Sequence, residues 1–196
     1  MERRKRDLPV YVRRLRDSLS EAGVPAEVSV QILAGCERLR SGAKPEQKAK
    51  WCRDAIQQMD KLLDKTTKIR VRERCACSLT PFRLKPMARL RRANPDLDDF
   101  LAAVQKSRLM GAEVKRTGKE VRIRFGTSSC VCHAIRASTE PVSITYCHCC
   151  KGHLMGLLSA AFGEPVRMDV VETNISGGKD CRFIFHPTGQ MLRATS

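Results

Sequence analysis

Apolar residues recur at helical spacing through Leu8, Tyr11, Val12, Leu15 and Leu19. Gly23-Val24-Pro25 then stops the run, and Val28, Ile32 and Leu33 begin another. The pattern predicts a helical hairpin. A third helix is predicted from about Pro45 to Asp64: Pro45 suits a first helical turn, and Trp51, Ile56, Met59, Leu62 and Leu63 fall on one side. Cys36 and Cys52 fit these apolar faces, which predicts core packing for both. At Ile69-Arg70-Val71-Arg72 the pattern changes. With Cys75-Ala76-Cys77 and the breaks at Pro81 and Pro86 it predicts a connector carrying a candidate ligand pair. Asn94-Pro95-Asp96 predicts a helix start capped by the aspartate, with Leu97, Phe100, Leu101 and Val104 as its apolar stripe.

From Glu120 to Phe125 apolar and polar residues alternate strictly, the period of a half-buried strand, and Gly126 ends it. Further strands are predicted at Val142 to Tyr146, Val166 to Glu172 and Cys181 to His186, with a helix from about Lys151 to Phe162. Ser176-Gly177-Gly178-Lys179 turns the last two strands into a hairpin. The order is therefore β, β, α, β, β behind an N-terminal helical segment. This predicts an α+β protein: a helical region over residues 1–66, a connector and helix over 67–118, and a cysteine-rich α/β plait with an antiparallel sheet over 119–190.

A chain of 196 residues can bury one good core without disulfides or metal. No apolar run approaches the roughly 18 residues of a membrane span, and Met1-Glu2-Arg3-Arg4-Lys5-Arg6-Asp7 lacks the apolar core of a secretory signal. These features predict a cytoplasmic protein with no membrane partner. In a reducing compartment, clustered cysteines serve metal or redox chemistry more often than disulfides. The net charge of +16 admits nucleic acid as a partner, with Arg83, Lys85, Arg89, Arg91 and Arg92 forming one cluster without nearby acids. Only two Tyr and one Trp accompany it, and no helix-turn-helix or zinc-finger spacing is present.

The densest chemistry is Tyr146-Cys147-His148-Cys149-Cys150-Lys151-Gly152-His153, in a chain with ten cysteines and four histidines. Cys75/Cys77 and Cys130/Cys132 form two further Cys-x-Cys pairs, and Cys181 follows. On an extended chain, residues two apart point the same way, so such a pair presents two sulfurs to one ion. Zinc takes four such ligands tetrahedrally, and Cys130, Cys132, Cys147 and Cys149 can supply them if adjacent strands bring the segments together. His148 alternates away from its neighbours, and His153 lies one turn into the following helix. Either can be a ligand or a surface residue; His133 and His186 are ordinary positions by pattern, and Asp169 and Glu172 are candidate carboxylates near a site, although a lone acid in a strand more commonly faces solvent. An iron-sulfur cluster uses the same ligand type.

Cys147-His148-Cys149-Cys150-Lys151-Gly152-His153-Leu154-Met155-Gly156, Ala160 to Val166, Val171-Glu172-Thr173 and Gly177 to Phe183 together resemble the 4-vinyl-reductase-like domain. That domain is shared by a vinyl-reductase component and the sensory halves of aromatic-responsive regulators. The full length, including the Cys-x-Cys pair ahead of this stretch, looks closer to a group of small cysteine-rich prokaryotic proteins with this ending. The resemblance implies an α/β plait that binds small hydrophobic ligands or zinc. By position, Cys147 and Cys181 match two zinc-binding cysteines of the aromatic sensors. Where those sensors carry a glutamate and a cysteine, this chain has Val170 and Thr173. A rearranged site would be completed by Cys149 or Cys150, or by the Cys130/Cys132 pair.

Three functions follow as expectations. The first is a sensor-like binding module with a zinc-supported pocket between the 151–162 helix and the sheet. It would take a small hydrophobic or aromatic ligand and signal through a separate protein or as a homodimer. The second is a zinc- or thiol-dependent enzyme of hydrolase type, since an open zinc site activates water and a low-pKa cysteine attacks electrophiles directly; no Ser-His-Asp order, nucleotide loop or His-Glu-x-x-His accompanies it. The third is nucleic-acid binding through the arginine clusters.

Overall fold

The computed structural model describes residues 8–39, 42–77 and 79–192. Seven α-helices and four strands occur among them: α1 Val10–Glu21, α2 Ala26–Ile32, α3 Pro45–Leu62, α4 Lys65–Arg74, α5 Pro81–Ala93, α6 Leu97–Ser107, β1 Glu113–Thr117, β2 Glu120–Arg124, α7 His148–Phe162, β3 Arg167–Glu172 and β4 Arg182–His186. Short 3-10 turns lie at Cys36–Arg38, Ile144–Cys147 and Asn174–Ser176. The protein is α+β, with helices first and the antiparallel sheet at the C-terminal end. No helix among the described residues is long and apolar enough to cross a membrane. The basic stretch before Leu8 lies outside the described residues.

The chain forms two compact units, each discontinuous in sequence. Among the described residues, the first gathers those up to Cys75 together with Ser129–Cys149 and Ile175–Gly177. In it α1 packs on α2 and α4, α2 on α3, and α3 and α4 on the 144–147 turn. Its core holds Val12, Leu15, Leu19, Ile32, Ile56, Met59, Val71 and Ile135. Buried positions of α3 recur as Trp51, Cys52, Ala55, Ile56 and Met59, the stripe expected of a half-buried helix.

The second unit gathers the described residues of 76–128, Cys150–Asn174 and those from Gly178 onward. Its sheet has the order β1-β2-β4-β3, all antiparallel, so β4 is inserted between β2 and β3. Phe183 pairs with Ile123 on one side and Val170 on the other. One face of the sheet packs on helices through Leu154, Leu157, Leu158, Phe100, Phe183 and Phe185. Gly111 adopts φ +133°, and a Cβ there would lie 2.6 Å from the Arg124 carbonyl oxygen, so only glycine fits.

Four local expectations are corrected. Residues 69–72 belong to helix α4, because the Asp64 carboxylate accepts the Thr66 and Thr67 N–H groups (2.9 and 3.0 Å) and starts a new helix immediately after α3. Pro81 opens α5 at its first turn, and Pro86 sits inside that helix. The missing N–H of Pro86 leaves only the carbonyl of exposed Phe82 without its helical donor. The segment at 142–146 is a 3-10 turn rather than a strand, with the Ser143 hydroxyl accepting Thr145 N–H. The outer strand is Glu113–Thr117, in which Val114 alone is fully buried, too little alternation to signal a strand.

Candidate functional site: an arginine among thiols

Helix α4 places Arg72 and Cys75 three residues apart, on one helical side. Arg72 is only 6 % exposed. Its Nη2 donates to the Tyr146 carbonyl at 2.9 Å, and its guanidinium carbon lies 4.6 Å from the centre of the Tyr146 ring. A buried charge normally meets a carboxylate. The ionisable groups facing Arg72 are instead Cys75, Cys149, Tyr146 and Cys52. Burial works against the guanidinium charge, and negative charge arising on any of those neighbours works for it. The Arg72 Nε is buried with no hydrogen-bond partner among the described residues.

Tyr146 is the hub. Its ring lies under Arg72, and its hydroxyl is 3.0 Å from Cys132 Sγ and also hydrogen-bonds Cys52. Burial comes first among the causes that push the phenol well above its ordinary pKa; Cys52, Cys132 and Cys149 add to it, while Arg72 opposes them. Asp60 of α3 anchors this segment by accepting from the Thr145 hydroxyl and from Lys68 Nζ, each at 2.7 Å. Burial works to raise the Asp60 pKa, and hydrogen bonds from Lys68, Ser143 and Thr145 outweigh it, keeping the carboxylate below its usual range.

The thiols differ. Cys52 is buried, and burial pushes its pKa up to about 12 against the pull of Arg72. Cys75, the C-cap of α4, is raised by the same cause, with Arg72 and a Ser18 hydrogen bond opposing it. Cys132 lies half-buried in the loop before the 144–147 turn, its carbonyl accepting from Ile135 and Arg136. It is the most accessible of the thiols assembled around Arg72 and Tyr146.

The expected ligands are distributed differently. Cys147 ends a 3-10 turn and Cys149 lies in the first turn of α7. On a helix, residues two apart are rotated by about 200°, so the two-sulfur presentation of an extended Cys-x-Cys does not form there. Cys130 and Cys132 lie outside the strands. Cys147, Cys149, Cys130 and Cys132 belong to the first unit, whereas Cys150 and Cys181 pack in the core of the second. The Cys181 N–H donates to the Asp180 carboxylate at 2.7 Å. His153 Nδ1 is 2.7 Å from the Cys77 carbonyl oxygen and, facing an acceptor, carries the proton. Burial lowers the pKa of that imidazole.

No disulfide joins any of the ten cysteines. Among the described residues no three His, Cys, Asp or Glu side chains are grouped to hold a metal ion, so the zinc implied by the resemblance has no ready ligand set there. Sequence patterning pointed to Cys132 and Cys149 but missed Arg72, Tyr146, Cys52 and Cys75 as one centre. Arg72 is one of 37 Lys and Arg residues, and nothing in its neighbourhood along the chain marks it. No curated protein and no solved structure matches the chain. The model of the Family of unknown function (DUF6144) matches residues 17–191, nearly the full length, and the chain therefore belongs to that family.

Proposed function

We propose that this protein performs thiol redox chemistry at the Arg72 centre, with Cys132 as the reacting sulfur and Cys52 as the sulfur that resolves it. The observation that carries this reading is a buried guanidinium enclosed by thiols and a phenol instead of a carboxylate. A cation held this way favours whichever neighbouring group acquires negative charge. Cys132 is reachable from solvent and touches the Tyr146 hydroxyl, which can donate to its sulfur. Cys52 reaches the same hydroxyl from the buried side.

The oxidant class is a hydroperoxide. Attack of the Cys132 thiolate on the peroxide O–O bond gives a sulfenic acid and, after one proton is taken up, an alcohol or water. Condensation with the Cys52 thiol then forms the S–S bond and releases water, which carries away the sulfenic hydroxyl and the Cys52 proton. Two electrons leave the thiol pair and reduce the peroxide, and a dithiol reductant restores the start. The test is peptide mass mapping after stoichiometric hydrogen peroxide. A Cys52–Cys132 linked peptide that reverses with dithiothreitol and is lost in Cys132→Ser is expected. Oxidation of exposed Cys77 ahead of Cys132, with no linked peptide, would overturn the reading.

The small-ligand reading draws on a different place in the second unit. Leu154, Leu157 and Leu158 fill the space between α7 and the sheet. A cavity of about 370 Å³ lies instead at the sheet, where Arg122, Arg124, Arg182 and Glu113 surround Ile123, Val171, Phe183 and Ile184; Arg124 pairs with Glu113 and Arg182 with Glu172, which leaves Arg122 as the cation for a ligand. A cation over apolar surface suits an aromatic carboxylate. Thermal shift against a panel of aromatic acids is expected to raise Tm for at least one, less so in Arg122→Ala. A flat response across the panel would remove this reading.

A further inference from the structure

Helix α5 presents one continuous basic stripe. Phe82, Lys85, Arg89 and Arg92 are spaced i, i+3, i+7 and i+10, which places them on one side over a rise of about 15 Å. All four are exposed, Phe82 at 84 %. The opposite side is committed to the second unit: Met87 is fully buried, and Arg91 stacks 5.7 Å from Phe100 and 5.1 Å from Phe162 while donating to the Asn94 and Pro95 carbonyls. No acidic residue occurs between Glu73 and Asp96. Among the described residues none of the ion pairs involves Lys85, Arg89 or Arg92.

An exposed phenylalanine at the head of three cations without counter-ions has a definite chemical complement. We infer that α5 binds single-stranded nucleic acid, with Lys85, Arg89 and Arg92 against successive phosphates and an unpaired base stacked on Phe82. Cations along a groove or stripe track the backbone, and an aromatic face accepts any base without reading it. A duplex offers no free base face to Phe82. An anionic bilayer is the poorer complement, because an interfacial helix buries a broad apolar face, and this stripe has a single apolar member. The inference is independent of the thiol centre, and its test is run under reducing conditions so that the two fail separately.

The experiment is fluorescence anisotropy of the full chain with a labelled mixed-sequence 20-mer, as single-stranded RNA, single-stranded DNA and DNA duplex, over a salt series. Lys85→Glu/Arg89→Glu/Arg92→Glu is expected to weaken single-strand binding at least about 30-fold and to flatten the log K against log salt slope by roughly 2, about 0.7 for each phosphate no longer neutralised. Phe82→Ala is expected to weaken it about tenfold with the salt slope unchanged, as removal of one stacked base requires. Far-UV circular dichroism checks that both variants keep their helix content. Equal binding by the triple variant overturns the inference. So does a duplex bound as tightly as the single strand with no effect of Phe82→Ala, or capture by phosphatidylserine vesicles without strand binding.

Discussion

Arg72→Met is expected to cost about 1 kcal/mol of stability or less, while slowing modification of Cys132 by iodoacetamide or hydrogen peroxide about tenfold. The reason lies in what Arg72 does in the folded chain. Its stem fills core volume and its fork bonds one backbone carbonyl, but its charge meets no carboxylate among the groups that face it. Replacing a buried cation with an apolar side chain of similar length removes a desolvation cost along with the interactions, so the net change is small. Chemistry responds differently. Arg72 acts through Tyr146, gripping its carbonyl and ring while the Tyr146 hydroxyl meets Cys132 Sγ at 3.0 Å, and losing the cation behind that phenol should cost the developing thiolate on the order of 1.4 kcal/mol, which is the tenfold rate. Arg72→Ala separates the two effects: it opens a cavity as well, and should cost about 3 kcal/mol by urea unfolding. If Arg72→Met left Cys132 as reactive as before, the guanidinium would be a packing element and the redox reading would lose its basis.

Stability should also fall steeply in alkali, between about pH 9 and pH 12, beyond what surface charge alone would give. Burial holds the Cys52 thiol at a pKa of about 12, whereas in the unfolded chain it titrates near its ordinary value of roughly 8.5. A group whose folded pKa is raised contributes stability that is complete below the unfolded pKa and disappears as pH climbs through the folded one. For Cys52 alone the difference is on the order of 4 kcal/mol by pH 12. Tyr11 adds to the same limb, since burial and then Cys52 raise its phenol to about 12. Urea unfolding at pH 8, 9, 10 and 11 reads this directly. Cys52→Ala should flatten the limb, since it removes the titrating thiol, while lowering stability at pH 8. A limb unchanged in Cys52→Ala would show that this thiol is not held protonated by the fold. The same protonated state withholds Cys52 from the first attack and leaves that step to Cys132.

The sequence by itself determined the α+β class, the helices α1, α2, α3, α6 and α7 and the strands β2, β3 and β4, because each carries its own period or its own stop. Leu15 and Leu19 repeat at helical spacing, Asp96 caps α6 with its own carboxylate, and Val121 and Ile123 alternate. Helix α4 was hidden because Ile69 and Val71 alternate with arginines as strand residues do, while its start depends on two hydrogen bonds to Asp64. Strand β1 was hidden because its partner β2 supplies the pairing and Val114 alone enters the core. The cysteine motifs announced thiol chemistry but misplaced it, since an x-spaced pair has meaning only once its backbone is known to be extended. Only tertiary structure brought Cys52, Arg72, Cys75, Cys132, Tyr146 and Cys149 together. They come from three helices, a loop and a 3-10 turn, up to 97 positions apart in the chain. Their meeting is fixed by the packing of α3 and α4 on the 144–147 turn. A local pattern in the chain encodes which face of each element is apolar; which buried polar groups then face one another is decided only when those faces close.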